Sequence, residues 1–256
     1  MLTPPMTHFI HTLRSAAGLT LFLSLFILMT PFLAISNLVT AGRATNFYAE
    51  TVVPLLIRPV FWIVGLKLNR IDHSDHPPGQ AIYIFNHNST LDILTILSLA
   101  IPRARYVAKW ELQYNPVFFL VGRLTGQIFI RRQRSKKAVQ TLQSAYDRIH
   151  RDRLSIVMAP EGTRKHEGKV GVFKKGPFRM ALDLNLPIVP VFFEGIRELS
   201  MGGSLIAKPG ACTAHVFPAI DTSGWKSADL DMEIDRIRSF YIACENDLQG
   251  TLDNIE

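Results

Sequence analysis

The 256-residue chain has room for one sizeable domain and an additional segment, and its apolar content of 48% is high for a soluble protein. A net charge of +7 favours anionic partners such as nucleic acid, an acidic membrane surface or phosphorylated substrates, but the recognised DNA- and RNA-binding patterns are missing. The cysteines, Cys212 and Cys244, are far apart and have no metal-ligand partners, which argues against disulfides and zinc sites and for a reducing compartment.

Two apolar stretches near the N-terminus predict a membrane anchor. The first, Ser15–Gly42, contains no charged residue and no histidine. As one helix it would be about 42 Å long, against roughly 30 Å for a hydrocarbon core. Pro31 and Asn37 interrupt it, and it is too long for the apolar run of a signal peptide. The second stretch, Phe47–Leu66, carries Arg58 in its middle, which suits a helix lying in the membrane interface.

These stretches allow two arrangements. Either the first stretch spans the bilayer, or both form a helical hairpin that dips into one leaflet. The charges after the first stretch outnumber Arg14 before it, which favours a cytoplasmic catalytic domain. Those later charges are Arg43, Arg58, Lys67 and Arg70. We therefore expect residues 1–65 to form membrane-anchoring helices and residues 66–256 to form the folded domain.

Short apolar strands alternate with helices after Leu66, which predicts an α/β domain with a mostly parallel central sheet of about seven strands flanked by helices. Strands are predicted near Lys67–Ile71, Ala81–Phe85, Arg105–Ala108, Gln127–Ile130, Leu154–Ala159, Ile188–Phe193 and Thr213–Phe217. Helices are predicted near Leu91–Ala100, Pro116–Leu124, Ser135–Arg151, Lys175–Asn185 and Leu230–Leu248. The loop Asp72–Gly79 contains His and Asp residues, but it lacks a third distant ligand, so a solvated turn is favoured over a metal site.

One stretch carries the clearest candidate chemistry. It begins with the apolar run Ala81–Phe85, typical of a buried strand, and continues through a polar turn into a helix that Ser89 or Thr90 can cap. His87 would lie at the carboxyl end of the strand, with Asp92 close enough to accept a hydrogen bond from its ring. An imidazole oriented by a carboxylate is a general base. The spacing alone is equally compatible with a structural histidine and a capping aspartate.

Four motifs resemble those of the glycerolipid acyltransferases, in the family's order and at its spacings. They are a His followed after four residues by Asp, a Gly and an apolar strand ending in Arg, the run Pro-Glu-Gly-Thr-Arg, and the run Leu-Pro-Ile-Val-Pro-Val. They lie at residues 87–92, 126–132, 160–164 and 186–191. The resemblance covers roughly residues 66–220 and is closest to the bacterial 1-acylglycerol-3-phosphate acyltransferases. The chain departs from the family at Ala159, where an aromatic residue usually precedes the proline.

The resemblance implies transfer of an acyl group from acyl-CoA or acyl-carrier protein to the sn-2 hydroxyl of lysophosphatidic acid, giving phosphatidic acid for phospholipid biosynthesis. His87 would be the catalytic base and Asp92 would orient it. The third motif would shape the site, and cationic side chains would hold the acceptor's phosphate. The implied substrate-binding residues are Lys109, Arg132, Glu161, Gly162, Thr163 and Arg164. No metal or cofactor is implied. The implied location is the bacterial inner membrane, with the catalytic domain facing the cytoplasm beside anionic lipids.

Three other functions stay open on the sequence. The same fold could acylate another lyso-lipid, such as a lyso-aminolipid, and the cationic phosphate site should then be dispensable. It could be a lipid or thioester hydrolase in which water replaces the alcohol. It could also be a non-catalytic binder of anionic membranes, whose role should survive replacement of His87.

Overall fold

A computed structural model describes residues 4–75, 78–114, 119, 122, 125–130, 136–163, 170–248 and 250, without the side chains of residues 109 and 136–139. The strands are β1 (Leu66–Asp72), β2 (Ile82–Phe85), β3 (Ala104–Lys109), β4 (Ile128–Ile130), β5 (Ser155–Met158), β6 (Ile188–Glu194) and β7 (Gly210–Val216). The helices are α1 (Pro4–Val39), α2 (Ala44–Phe47), α3 (Val53–Val64), α4 (Asp92–Ser98), α5 (Lys136–Arg151), α6 (Lys175–Leu184), α7 (Ile196–Leu199) and α8 (Leu230–Asn246). A π-helical turn joins α2 to α3, and a 3₁₀ turn follows β3.

The predicted strands all occur, with ends shifted by a few residues at most. The helices predicted from Leu91, Ser135, Lys175 and Leu230 also occur. The helix predicted at Pro116–Leu124 lies outside the described residues, apart from residues 119 and 122.

The strands form one sheet in the order β1-β7-β6-β2-β5-β3-β4. Neighbouring strands from β6 to β4 run parallel, whereas β7 is antiparallel to β6 and β1 is parallel to β7. The prediction of a mostly parallel seven-stranded sheet is therefore confirmed. Because β6, β2, β5, β3 and β4 share one direction, their carboxyl ends meet at a single edge, which we call the carboxyl edge.

Helices cover both faces of the sheet, as expected when parallel strands are buried on both sides. Successive side chains of a strand point to opposite faces. Tyr83 and Phe85 pack into a core with α3 and α4, whereas Ile82 and Ile84 pack into a second core with α5, α6 and α8. The two cores give a three-layer arrangement with β2 in the interior of the sheet.

The N-terminal apolar stretches form two helical segments that pack against each other. The segments Pro5–Val39 and Ala44–Val64 are each long and apolar enough to cross a membrane by length and composition. Helix α1 continues through Pro31, so the expected interruption there is wrong. A proline removes one helical hydrogen bond, and an apolar helix tolerates this loss when the flanking turns remain bonded. Helix α3 also packs against the sheet and buries Ile57 and Val60 in its core.

Candidate active site

The predicted pair His87 and Asp92 is brought together directly after β2. The Nδ1 atom of His87 lies 2.9 Å from Oδ2 of Asp92. The same oxygen accepts a hydrogen bond from the backbone N–H of Ser89 at 3.0 Å. The Asp92 side chain is fully buried, and that of His87 is 15% exposed. Because an ionised carboxylate only accepts hydrogen bonds, Nδ1 carries the hydrogen and Nε2 keeps the lone pair of a base.

The turn between β2 and α4 differs from the predicted capping arrangement. Leu91 occupies the N-cap position of α4, and no side chain caps it. Ser89 instead accepts the N–H of Leu91 with its hydroxyl at 3.2 Å, so the expectation that Ser89 or Thr90 caps the helix is wrong. Asp92 does lie in the first turn, as predicted. Its carboxylate folds back toward the imidazole instead of capping the helix end, which makes it an orienting group.

The carboxylate of Glu161 fixes the backbone of His87. Its Oε1 atom accepts the N–H of His87, and its Oε2 atom accepts the N–H of Gly171, both at 2.9 Å. Glu161 is only 2% exposed, so these charge-assisted bonds lie in a medium of low polarity, where they are strong. The sequence predicted Glu161 as a substrate-binding residue, whereas its contacts link the loop after β5 to the loop after β2.

Two further side chains bridge β2 and β6 where these strands approach the carboxyl edge. The amide of Asn86 donates to the carbonyl of Phe193 at 3.1 Å and accepts its N–H at 2.8 Å. The hydroxyl of Tyr241 donates to the carbonyl of Ile84 at 2.8 Å and accepts the N–H of Val191 at 3.1 Å. Burial raises the pKa of Tyr241 well above its ordinary value, so the phenol stays a donor. These bridges fix the chain immediately before His87.

Sequence reasoning assigned no role to Asn86 or Tyr241. Asn86 stands next to the first motif, but its partner Phe193 is 107 residues away, so no local pattern signals this bridge. Tyr241 lies on α8, outside the motifs, and nothing in its local pattern distinguishes it from an ordinary core residue. Its site role follows only from the packing of α8 against the sheet.

The sheet order brings the ends of the motif-bearing strands to the carboxyl edge. Strand β5, which precedes the third motif, lies beside β2, and β3 and β4 follow outward. Lys109 is the last residue of β3, and β4 ends at Ile130, two residues before Arg132. The Lys109 side chain, Arg132 and Arg164 lie outside the described residues. Their predicted contacts with substrate therefore stay predictions.

The third motif makes a tight turn that a lysine side chain covers. Gly162 has a φ of +65°, a conformation that glycine adopts without strain. A Cβ atom on Gly162 would lie 2.9 Å from Nζ of Lys174, so the ammonium group lies directly over this turn. Thr163 follows and is partly buried. Sequence reasoning missed Lys174 as a cation beside the third motif, although its place in a Lys-Lys pair before a helix was a usable signal.

The cysteines are unsuited to nucleophilic chemistry. Cys212 and Cys244 are 2% and 3% exposed. Burial raises the pKa of both thiols to about 12, and the charge of Asp92 adds to the effect at Cys212. Within the part of the chain that the structure describes, no group of three or more His, Cys, Asp or Glu side chains is placed to hold a metal ion.

The loop after β1, read from sequence as a solvated turn, holds a histidine with a structural role. Nε2 of His73 lies 3.0 Å from Nδ1 of His215, and the His73 ring stacks on Phe217. His215 is 3% exposed, and its Nε2 atom lies 3.2 Å from a carboxylate oxygen of Glu194. These contacts join the loop after β1 to β7 and β6.

Comparisons with known proteins agree with this arrangement. An Acyltransferase family model matches residues 68–194. The 1-acyl-sn-glycerol-3-phosphate acyltransferase of Limnanthes douglasii is 32% identical over 200 residues, which cover 78% of this chain and 69% of the relative. The 1-acyl-sn-glycerol-3-phosphate acyltransferase beta of Homo sapiens is 33% identical over 205 residues, covering 79% and 74%.

A solved structure supports the fold. The crystal structure of the 1-acyl-sn-glycerophosphate (LPA) acyltransferase PlsC from Thermotoga maritima superposes with a TM-score of 0.71 and covers 93% of this chain and 98% of its own. Its identity of 20% makes it a comparison of folds alone. The bacterial branch expected from the sequence stays a prediction, since the sequence relatives above are a plant and an animal protein. On identity and coverage, the chain belongs to the 1-acyl-sn-glycerol-3-phosphate acyltransferases.

Proposed function

We propose that this protein transfers an acyl group from an acyl thioester to the sn-2 hydroxyl of lysophosphatidic acid and so forms phosphatidic acid. The observation that carries the proposal is the 2.9 Å bond between His87 Nδ1 and the buried carboxylate of Asp92. It leaves Nε2 as the basic atom of a partly exposed ring. The family relatives are named for the same acceptor, 1-acyl-sn-glycerol 3-phosphate.

The reaction proceeds by direct transfer between the substrates. Nε2 of His87 removes the proton from the acceptor hydroxyl as the oxygen attacks the thioester carbonyl carbon. The resulting tetrahedral intermediate collapses, the carbon–sulfur bond breaks, and the leaving sulfur takes the proton from His87. Asp92 holds the ring and stabilises the imidazolium while it carries that proton. Base catalysis of this kind contributes about 10²–10⁴ in rate, and positioning of the substrates contributes much of the rest.

No enzyme nucleophile is needed, because a thioester is already an activated acyl donor. The thiols of Cys212 and Cys244 are buried, and their pKa values of about 12 keep them protonated at neutral pH. Ser89 lies close to Asp92 but is fully buried, and its hydroxyl accepts the Leu91 N–H. The assay described below, with each donor supplied separately, distinguishes coenzyme A from acyl-carrier protein as the thiol carrier.

The acceptor's phosphate binds beside the third motif in this proposal. Gly162 and Thr163 form the turn there, and Lys174 supplies a positive charge over it. Lys109, Arg132 and Arg164 follow or flank strands that end at the same edge, so they complete a cationic site in the proposal. Guanidinium groups match the oxygens of a phosphate monoester in pairs. In this proposal Glu161 acts through His87, because its carboxylate oxygens accept the backbone N–H groups of His87 and Gly171.

We further propose that residues 1–65 hold the catalytic domain, residues 66–256, on the cytoplasmic face of a bacterial inner membrane rich in anionic lipids. Of the two arrangements open on the sequence, the hairpin in one leaflet is better supported. Helix α1, which would cross the bilayer in the other arrangement, instead packs against α3. Helix α3 in turn packs into the core of the sheet, and Leu21 and Phe22 of α1 pack against the same core, so both segments lie beside the folded domain. Arg43, at the turn between α1 and α2, and Arg58, on α3, are exposed, and such charges favour the headgroup level.

The test is an acyl-transfer assay with purified full-length protein. Lysophosphatidic acid, a lyso-aminolipid and an uncharged monoacylglycerol are supplied as acceptors, with acyl-CoA and acyl-carrier protein each as donor. We expect phosphatidic acid as the main product. Free fatty acid formed equally without acceptor would identify a hydrolase instead. A preference for the lyso-aminolipid would identify that lipid as the acceptor instead of lysophosphatidic acid.

The phosphate site is tested in the same assay. Replacing Arg132 by Ala should raise the KM for lysophosphatidic acid at least about ten-fold and change the KM for the donor little, because one charged donor to the phosphate is lost. The matched control is Arg151→Ala, since Arg151 is exposed and ends α5 at the opposite edge of the sheet. An Arg132→Ala, Arg164→Ala double variant that still prefers lysophosphatidic acid over monoacylglycerol would contradict this assignment.

A further inference from the structure

The loop between α7 and β7 exposes large apolar side chains. Met201 is 65% exposed and Leu205 is 68% exposed, and a turn through Gly202 and Gly203 separates them. Single exposed apolar residues are ordinary on a protein surface, but two long ones in one short loop are a patch that favours contact with another apolar phase.

This loop is fixed to the membrane-anchoring helix α1. The backbone N–H of Ala207 donates to the hydroxyl of Ser15 at 2.9 Å, and this bond is buried. The preceding residue, Arg14, donates from Nε to the carbonyl of Ile63 at 2.7 Å, which joins α1 to the end of α3 at the same place. The loop therefore cannot shift relative to α1 without breaking a buried hydrogen bond.

The exposed apolar surface of α1 passes the point where the loop is attached. Leu19, 44% exposed, lies four residues after Ser15. At 3.6 residues per turn and a rise of 1.5 Å per residue, it lies about 40° around the helix from Ser15 and about 6 Å along the axis. Farther along α1, Ile27 is 68% exposed. The loop thus adds its apolar side chains to the exposed apolar surface of α1, which the proposed attachment places in lipid.

We propose that this loop, residues 200–209, is a second membrane-contacting element, which inserts Met201 and Leu205 at the boundary between lipid headgroups and acyl chains. The exposed Lys208 next to them suits the anionic headgroups of the same surface. A lipid bilayer is favoured over a protein partner because the patch continues the apolar surface of α1. The inference rests on the proposed attachment of α1 to the membrane.

The contact would orient the active site. The loop follows β6 and α7, and β6 holds Asn86 through Phe193 at the carboxyl edge. Asn86 directly precedes His87. Lipid contact at the loop would therefore turn the edge that carries His87 toward the membrane surface. An acceptor with an acyl chain could then reach the base without leaving the bilayer.

The test uses single added cysteines in the full-length protein, reconstituted in vesicles of phosphatidylcholine and phosphatidylglycerol. Met201→Cys and Leu205→Cys are labelled with a fluorophore, and quenching by lipids brominated on the acyl chain is measured. The native Cys212 and Cys244 are buried, so the unmodified protein supplies the labelling blank. Met232→Cys is the matched control, because Met232 on α8 is 64% exposed, nearly the same as Met201. Ile27→Cys reports insertion of α1.

We expect quenching at positions 201 and 205 of at least about half that at position 27, and little at position 232. Quenching at position 27, with quenching at positions 201 and 205 no greater than at position 232, would overturn the loop proposal and leave the anchor intact. If added acyl-carrier protein then protected positions 201 and 205 from labelling, the loop would be a protein-binding surface and the proposal would still be overturned. Absence of quenching at 27 would overturn the anchor, and the loop proposal with it.

A kinetic readout separates membrane contact from the chemistry. The double variant Met201→Gln, Leu205→Gln should lower kcat/KM for lysophosphatidic acid in vesicles by about three- to ten-fold. With a short-chain, monomeric acceptor in solution it should leave kcat/KM unchanged, because His87 and Asp92 are untouched. Met232→Gln should change neither. Equal losses with both acceptors would refute the proposal, since they would indicate a disturbed active site.

Discussion

Replacing Glu161 by Gln tests whether this carboxylate positions His87 or binds substrate. The carboxylate accepts two backbone N–H groups, from His87 and Gly171, both at 2.9 Å. A glutamine of the same shape has one acceptor oxygen, so in either orientation its NH₂ group faces one of these donors. Losing a bond to a charged group costs about 1.5–3 kcal/mol, and a donor left unsatisfied in the interior about 1–3 kcal/mol. Relief of the buried charge offsets part of this cost.

The free energy of unfolding should therefore fall by about 2 kcal/mol, which lowers Tm by roughly 4–8 °C for a chain of this size. Because the His87 backbone is released, kcat should fall about 10- to 100-fold, with little change in KM for either substrate. The assays are thermal unfolding in detergent and initial rates with lysophosphatidic acid varied. Glu245→Gln is the matched control, because Glu245 accepts the N–H of Val170, the neighbour of Gly171, without touching His87.

The control should lower Tm without lowering kcat. An unchanged kcat in Glu161→Gln, together with a several-fold higher KM for lysophosphatidic acid, would refute the positioning role. Glu161 would then contact the acceptor, as the sequence alone predicted.

The remaining predictions concern the base, its support and the thiols. His87→Ala should lower kcat at least about 100-fold with the fold retained by circular dichroism, and Asp92→Asn should also lower kcat; near-normal turnover of His87→Ala would end the mechanism. Tyr241→Phe should lower the free energy of unfolding by about 2–3 kcal/mol and also lower kcat, because backbone groups of β2 and β6 lose a hydrogen-bond partner. The control Tyr146→Phe removes only a 3.4 Å bond to an exposed carboxylate and should change neither quantity. The pKa of Cys212, about 12 against an ordinary 9.0, favours the protonated thiol in the folded state, so its contribution to stability should be full below pH 9 and decline as pH rises toward 12. A fall in unfolding free energy above pH 9 that is smaller in Cys212→Ala would confirm the linkage, and an equal fall would contradict it.

Local patterns predicted much of the fold because they report burial directly. Short apolar runs such as Ala81–Phe85 became central strands, and the helix predicted at Lys175–Asn185 became α6. The bond between His87 and Asp92 was also predictable, since the two residues are five positions apart on one turn. The Pro31 interruption failed because one missing N–H does not end a long apolar helix.

The supports of the base could not be predicted, because each joins residues far apart in the chain. Glu161 binds the His87 backbone across 74 positions, Asn86 binds Phe193 across 107, and Tyr241 binds Ile84 across 157. No periodicity or spacing encodes such pairs. They exist because the sheet order places β5 and β6 on either side of β2, which is a property of the whole fold.

The arrangement of the site predicts two kinds of variant, which differ in their effect on kcat and on acceptor preference. The first kind affects the residues that hold the base. Asp92 orients the ring, Glu161 holds the backbone nitrogen of His87, and Asn86, the residue before His87, binds the backbone of β6. Since the base acts on every acceptor, loosening any of these supports should lower kcat for all acceptors alike. The second kind holds the acceptor, through the turn at Gly162 and the cations proposed around it. Variants there should change the preference between acceptors, because only a phosphorylated one makes those contacts.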